Sequence, residues 1–370
     1  MKIFLCQFCE QLLFFENTHC ERCRHRLGFI PGQLRLAALE ADGEVWRSER
    51  DKAAWRFCTN AAHDACNWLI EAESGEAFCA ACRHNRTIPD LGASENLARW
   101  RAIEGAKHRL FYSLLRFRLP LQTRQQDPEN GLAFDFLADP PPQQGTSVTT
   151  GHRQGLITVA LNEADGAVRE QRRLQMGETY RTLLGHFRHE IGHYFWDRLV
   201  RDSDRLESFR ALFGDERADY ASALKAYYEA PEPGWRERFI SAYASSHPWE
   251  DFAETWAHYL HIVDALETAA VIGINVNAQI GRHQAIRASI DFDPYRARSV
   301  EQLIGAWLPL TFAINSMNRS LGQPDLYPFV LTSPAVAKLG FIRTLIEETR
   351  NGTGANPSAA KPAPAQDRVE

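Results

Sequence analysis

The sequence predicts an α+β protein in which a small cysteine-rich module precedes a mostly helical domain with a short sheet. Three observations support this prediction. All eight cysteines fall within the first quarter of the 370-residue chain. Residues 155–165 alternate apolar and polar side chains as a strand does. The chain from about residue 170 to residue 350 is biased toward helix, with apolar residues at helical spacing.

The composition is that of an ordinary globular protein and excludes several other classes. Hydrophobic residues make up 44% of the chain and charged residues 24%, with a formal net charge of −5. No run of eighteen or more apolar residues is present, so we expect no membrane-spanning helix. Cys, Gln and Glu interrupt the apolar positions of the N-terminal segment, so it is not a secretory signal and we expect a cytoplasmic location.

The cysteines form two sets of four, which in a reducing compartment indicates zinc sites rather than disulfides. A C-x-x-C turn presents two thiolates together, and structural zinc takes four in a tetrahedron. The first set contains two such turns and consists of Cys6, Cys9, Cys20 and Cys23. The second set is less regular and consists of Cys58, Cys66, Cys79 and Cys82. His63 could replace either single cysteine of the second set, and pairing between the two sets stays open.

The chain divides into three predicted parts. Residues 1–95 form the cysteine-rich module, whose short apolar stretches could hardly bury a core without metal. A helical pattern beginning at "SENLARW" opens the second domain, residues 96–348. Residues 349–370 are rich in Pro, Ala and polar residues, and we expect a disordered tail.

The segment "GHFRHEIGHYFWD", residues 185–197, contains an H-E-x-x-H pattern formed by His189, Glu190 and His193. On a helix, two histidines four residues apart project from the same face, as two imidazole ligands of one zinc require. Glu190 lies beside them, where it can act as general base on a water activated by zinc. Gly192 costs about 1 kcal/mol of helix propensity, which favours a packing requirement. Lone histidines on an amphipathic helix would be unremarkable, but the full pattern favours a zinc site.

A catalytic zinc site also needs a third protein ligand. Residues 241–269 supply carboxylates on an otherwise apolar helix, and such carboxylates need a partner. We predict Glu250 as the third ligand. Asp219 is the strongest of the other candidates, and we expect it to form an ion pair or to contact a ligand instead of the metal. The remaining candidates are Asp215, Glu216, His247, His258 and His261.

These segments together resemble the zinc-binding metallopeptidases that carry an N-terminal zinc ribbon, a family defined largely from bacterial sequences. The resemblance covers nearly all of residues 1–345. It rests on "FLCQFCEQLLFFENTHCERC", "CNWLI", "CRHNRTIPDL", "LLGHFRHEIGHYFWDRLV", "DERADYASAL" and "AYASSHPWEDFAETWAHYLHIVD". It implies a double zinc-ribbon module followed by a zincin-like peptidase domain, and it implies no particular substrate.

A more distant resemblance, to gluzincin-like zinc peptidases of the lethal-factor type, implies individual roles. Those enzymes place a tyrosine seven residues before the glutamate ligand and an acid four residues after it. By this resemblance Tyr243 supports the oxyanion, Glu250 binds zinc and Glu254 orients a ligand histidine. Residues 155–165 would be the edge strand on which an extended peptide pairs.

The expected function is therefore zinc-dependent hydrolysis of peptide bonds, with about three zinc ions, one catalytic and two structural. The alternative is an adaptor that binds protein or nucleic acid through its ribbon and has an inactive or secondary H-E-x-x-H domain. Residues 1–100 contain 12 Lys and Arg against 14 Asp and Glu, a net charge of −2. Phosphate binding needs a basic surface, so nucleic acid is not the expected partner. We expect a peptide or protein substrate, a protein partner at the ribbon and no membrane contact.

Overall fold

The computed structural model describes residues 2–48, 51–140, 147–175, 181–278 and 286–352. Within these ranges, two four-cysteine clusters lie in an N-terminal module of short strands, and a helix-rich domain with small sheets follows. The predicted α+β class is confirmed. Of the predicted tail, residues 349–351 complete the last helix, and residues from 353 onward lie outside the described ranges.

The N-terminal module consists of short antiparallel strands. They are β1 (Phe4–Leu5), β2 (Leu12–Leu13), β3 (Arg26–Ile30), β4 (Arg35–Asp42), β5 (Val45–Ser48), β6 (Asp51–Phe57) and β7 (Leu69–Glu71). β1 and β2 form a hairpin, and the other five form one sheet in the order β3-β4-β5-β6-β7. The first C-x-x-C turn, Cys6–Cys9, connects the two strands of the hairpin, and the second, Cys20–Cys23, lies between β2 and β3.

Buried apolar side chains connect the module to the rest of the chain. Strand β8 (Asn85–Thr87) pairs in parallel with β9 (Ala133–Leu137) of the second domain. The ring of Phe15 packs edge-on against Tyr112 of helix α1 (Ser94–Phe117), with 5.6 Å between ring centroids. One continuous apolar cluster therefore spans the predicted boundary near residue 95.

The second domain combines a four-stranded sheet with the remaining helices and one small hairpin. Its further elements are β10 (Gly151–Arg153), β11 (Leu156–Ala160), α2 (Gly166–Gln175), α3 (Leu183–Leu199), α4 (Leu206–Phe213), α5 (Tyr220–Glu229), α6 (Pro248–Ile272), β12 (Val276–Ala278), β13 (Ile286–Ala288), α7 (Val300–Ser320) and α8 (Ser333–Asn351). The sheet order is β10-β11-β9-β8, and only β10 is antiparallel to its neighbour. None of the helices in the described ranges has the length and apolarity needed to cross a lipid bilayer.

The predicted strand exists, but its predicted place at the sheet edge is wrong. Residues 155–165 contain β11, with Ile157 and Val159 buried. β11 lies between β9 and β10, so among the described residues the two edge strands of this sheet are β10 and β8. The chain reverses between β10 and β11 through Gln154 and Gly155, which both have positive φ, 47° and 77°. Such a two-residue turn closes a tight hairpin. β10 therefore pairs along the side of β11 that would otherwise be the sheet edge.

Helices α3 and α6 pack against each other at the centre of the second domain. Gly192 lets the two backbones approach closely, because a Cβ at this position would lie 3.0 Å from Ala253 Cα. The rings of Phe195 and Trp256 stack across the same interface with centroids 4.9 Å apart. The predicted packing requirement at Gly192 is confirmed, and this close contact brings the acidic end of α6 beside the H-E-x-x-H turn.

A buried carboxylate joins three helices behind the site. Asp264 of α6 accepts hydrogen bonds from Ser113 Oγ of α1 at 2.9 and 3.0 Å. It also contacts the guanidinium of Arg188 in α3 and the hydroxyl of Tyr295. Arg188 directly precedes the first histidine of the motif, so this network fixes the position of α3 relative to α6.

Candidate metal centre

Three ligand-type atoms from α3 and α6 converge at one point. The Nε2 atoms of His189 and His193 lie 3.1 Å apart. Glu250 Oε2 lies 2.9 Å from the first and 3.5 Å from the second. The one-turn spacing on α3 places both imidazoles on one face, and Glu250 projects from the first turn of α6, which begins with Pro248.

These distances fit the edges of a zinc coordination tetrahedron. Zinc bonds to nitrogen and oxygen of 2.0–2.1 Å separate neighbouring ligand atoms by about 3.3 Å. Glu250 is 1% exposed, and its Oε2 has no hydrogen-bond partner among the described residues. Burial raises the pKa of Glu250, but the two facing histidines outweigh burial and hold that pKa well below its ordinary value. A carboxylate buried in this way requires a cation or a metal beside it.

A second glutamate holds the first histidine from behind. Glu254 Oε1 accepts a hydrogen bond from His189 Nδ1 at 2.7 Å. The other oxygen, Oε2, accepts from Ser241 Oγ at 2.6 Å. His189 therefore carries its proton on Nδ1 and presents Nε2 toward His193 and Glu250, the orientation that metal-binding histidines adopt.

Glu190 is buried beside the triangle of ligand atoms, close to the charges of His189, His193 and Glu250. Its side chain is 9% exposed. Burial raises the pKa of Glu190, the charges of His189 and His193 lower it, and the net shift is upward. A carboxylate whose pKa is raised above its ordinary value is a stronger proton acceptor than a solvated one.

The eight cysteines form the two predicted clusters without exchange between them. In the first, the Sγ atoms of Cys6 and Cys23 are 3.5 Å apart, as are those of Cys9 and Cys20. Zinc–sulfur bonds of about 2.3 Å place neighbouring sulfurs about 3.8 Å apart, so the cluster fits one tetrahedral zinc. The second cluster contains Cys58, Cys66, Cys79 and Cys82, all buried.

Comparison with known proteins identifies both parts of the chain. Residues 96–345 match the family described as "Putative zinc-binding metallo-peptidase". Residues 3–93 match a zinc-ribbon domain. The chain belongs to this metallopeptidase family.

Relatives of this family member occur in mycobacteria. Uncharacterized proteins of Mycobacterium tuberculosis and Mycobacterium bovis are 41% identical over 350 residues, which cover 94% of this chain and 96% of each relative. No solved structure matches the chain significantly.

Tyr243, the expected oxyanion donor of this peptidase domain, lies near the ligand atoms. It begins a single 3-10 turn before α6, and its ring centroid is 5.9 Å from that of His189. Burial is the largest cause that raises the pKa of Tyr243, and the charge of Glu250 adds to it. The hydroxyl therefore keeps its proton and can act as a hydrogen-bond donor.

The alternative third ligands all have other partners. His247 caps α6, since its Nδ1 accepts from Trp249 N at 3.1 Å. His258 Nδ1 lies 2.7 Å from Tyr327 Oη, and His261 contacts Arg188. Asp215 accepts a hydrogen bond from Arg217, and Glu216 accepts one from Arg210.

Asp219 caps a helix, whereas the sequence analysis expects it to form an ion pair or to contact a metal ligand. It is exposed and caps α5, with Oδ1 accepting a hydrogen bond from Ser222 N at 2.8 Å. The next residue, Tyr220, instead contacts the site, and its hydroxyl donates to Glu250 Oε1 at 2.7 Å. The sequence gives no local signal for this contact, because Tyr220 and Glu250 are 30 residues apart in the chain.

The second cysteine cluster contains a histidine that the sequence analysis also missed. His108 Nε2 of α1 lies 3.3 Å from Cys66 Sγ and 3.6 Å from Cys82 Sγ. His63 instead packs its ring against Trp100 and is not part of the cluster. The sequence does carry one indication of polar contacts at this point, because charged residues fall on the apolar face of α1. Two of them, Glu104 and Lys107, are fully buried.

Proposed function

We propose that this family member is a zinc-dependent peptidase in which His189, His193 and Glu250 bind the catalytic zinc. The observation that carries the proposal is the convergence of their three ligand atoms, 2.9–3.5 Å apart, next to the buried carboxylate of Glu190. Three protein ligands leave one position for water, as catalytic zinc sites do and structural ones do not.

The chain's own residues would share the proton and charge transfers of hydrolysis. When bound, zinc supplies Lewis acidity, which polarises the scissile carbonyl and lowers the pKa of a water. Glu190 would take the proton from the attacking water and later pass it to the leaving amine. Tyr243 would donate a hydrogen bond to the developing oxyanion. Glu254 would keep His189 in the orientation that faces the metal.

An extended peptide would pair with β10. This edge strand lies next to α3, and the ring of His152 in β10 is 6.2 Å from the ring of His193. Backbone hydrogen bonds to an edge strand bind a peptide with little dependence on its sequence. The expected substrate is therefore an unfolded segment or a flexible peptide.

The zinc ribbon would hold two structural zinc ions and offer a surface to a protein partner. Leu5, Leu12 and Phe14 of its first hairpin are 59%, 45% and 58% exposed. These apolar side chains lie within residues 1–100, whose net charge is −2, which favours contact with protein over nucleic acid. Zinc-binding cysteine clusters of this kind persist in a reducing compartment, so the proposed location is the cytoplasm.

The decisive experiment compares peptide hydrolysis by wild type and Glu190→Gln. Wild type should cleave an unfolded protein such as reduced casein, should stop when zinc is chelated, and should recover when zinc is restored. Glu190→Gln should keep its zinc and lose hydrolysis. Glu207→Gln, which changes an exposed glutamate of α4, should match wild type. Equal activity of all three proteins would refute the proposed role of Glu190.

A further inference from the structure

We propose that Tyr220 is a positioning residue that makes Glu250 bind the catalytic zinc through one oxygen only, a role that rests on the proposed function. The two oxygens of Glu250 have different partners. Oε2 faces His189 and His193, whereas Oε1 accepts a hydrogen bond from Tyr220 Oη at 2.7 Å. Among the described residues, this hydroxyl is the one hydrogen-bond donor to Oε1.

Because the two oxygens of Glu250 have different partners, only Oε2 is available to the zinc, and this determines the number of zinc ligands. A carboxylate with both oxygens free to turn toward a metal can bind it through two atoms. The second oxygen would then occupy the position that a catalytic site keeps open for water. A donor that holds Oε1 away from the metal preserves this position, as outer hydrogen bonds to metal ligands commonly do.

Contacts on both sides keep the Tyr220 ring in place. Its centroid lies 5.3 Å from that of His247 and 6.0 Å from that of Trp249, with both rings edge-on. His247 Nε2 donates to the carbonyl of Ala218, two residues before Tyr220, at 3.1 Å. The start of α5 is thus attached to the start of α6, where Glu250 lies.

Helix α5 contributes little other packing. None of its residues is buried, and Tyr220 itself is 39% exposed. Two side chains on one face of α5 contact the site. Tyr220 contacts Glu250, and Tyr227, seven residues later, packs edge-on against Tyr243 with 5.8 Å between the ring centroids. A surface helix held in this way presents a hydroxyl to the metal ligand without forming part of the core.

The test measures metal binding in the full-length chain. The exchangeable site is emptied with a chelator and titrated with zinc against a chromogenic competitor, while the cysteine sites keep their zinc. We expect Tyr220→Phe to bind zinc about 10- to 100-fold more weakly. Tyr228→Phe removes a hydroxyl from the same helix at a side chain that is 53% exposed, and it should bind as wild type does.

Cobalt in the same site gives a readout that a general loss of stability does not change. If Oε1 is released toward the metal, the coordination number rises and the visible absorption of Co²⁺ weakens. We expect this weakening in Tyr220→Phe and not in Tyr228→Phe. Loss of metal by Glu250→Ala with unchanged affinity and spectrum in Tyr220→Phe would overturn the role of Tyr220 alone. Retention of the metal by Glu250→Ala would overturn the ligand set of the proposed function and, with it, the role of Tyr220.

Discussion

His189 donates a hydrogen bond from Nδ1 to Glu254 Oε1 at 2.7 Å, and this bond determines which ring nitrogen faces the proposed metal position. Glu254 and Glu250 are one turn apart on α6 and both contact the same imidazole. They contact opposite nitrogens, because Glu250 Oε2 lies 2.9 Å from Nε2. Two acids that look equivalent in the sequence therefore have different surroundings in the fold.

This difference predicts a different metal affinity for two alanine variants. Glu250→Ala should lose most of the exchangeable zinc, because a ligand is removed. Glu254→Ala should retain zinc with affinity reduced about 10- to 100-fold, because only the orientation of His189 is loosened. Competitive titration with a chelator measures both. The reverse order of affinities would make Glu254 the ligand.

The predictable part of the site follows from local helix geometry. Residues four apart face the same way on any helix, so the two motif histidines could be paired from sequence, and so could the two glutamates of α6. The resemblance suggests Tyr243, seven residues before Glu250, and in the structure its ring centroid lies 5.9 Å from that of His189. A short local spacing is visible in one sequence without any knowledge of tertiary contacts.

The missed contacts join residues that are far apart in the chain. Tyr220 and Glu250 are 30 residues apart, and His108 and Cys66 are 42 apart. Such pairs depend on how α1, α5 and α6 pack, which no periodicity encodes. The misplaced edge strand has a different origin. β10 directly precedes β11 in the chain, but it has only three residues and gives almost no alternation pattern.

The metal content should distinguish the two cysteine clusters from the third site. We expect about three zinc ions per chain, two resistant to chelation and one exchangeable. Cys6→Ser should remove one resistant zinc and loosen the ribbon, but leave the exchangeable zinc in place. Elemental analysis before and after dialysis against a chelator checks these counts. Loss of the exchangeable zinc in Cys6→Ser would show that the site depends on the ribbon.

The second cluster should matter more for the stability of the whole chain than the first. Cys66 and Cys82 contact His108 of α1, and α1 also joins the network behind the site through Ser113. Cys82→Ser should therefore lower the melting temperature of the peptidase domain more than Cys6→Ser does. Differential scanning calorimetry of both variants measures this, and equal effects would contradict the proposed coupling.

Removing the buried carboxylate behind the site should destabilise the fold strongly. Asp264→Ala leaves the guanidinium of Arg188, 3% exposed, without its carboxylate partner. Breaking a buried ion pair from one side typically costs about 3–5 kcal/mol. Asp204→Ala provides the matched control, since that side chain is 79% exposed, and it should change stability by less than about 0.5 kcal/mol. Urea unfolding of the three proteins measures the difference, and similar midpoints would show that Arg188 finds another partner.

The stability of the protein should fall in mild acid, in part because of one buried histidine. His258 is 4% exposed, and burial lowers its pKa from 6.5 to about 4. The folded state therefore favours the neutral ring, and the unfolded chain binds a proton that the folded chain does not. The stability contributed by the neutral ring is complete above pH 6.5 and is lost as the pH falls toward 4. At 1.36 kcal/mol per pKa unit the loss is about 3 kcal/mol.

His258→Gln isolates this contribution. Glutamine retains a polar partner for the hydroxyl of Tyr327, which lies 2.7 Å from His258 Nδ1, but it does not titrate. Wild type and variant share the same metal sites, so any loss of metal in acid affects both and cancels in their difference. The free energy of unfolding of wild type minus that of the variant should decrease by about 3 kcal/mol between pH 7 and pH 4. Denaturant unfolding at four or five pH values measures it, and two parallel curves would mean that His258 is not responsible for the acid sensitivity.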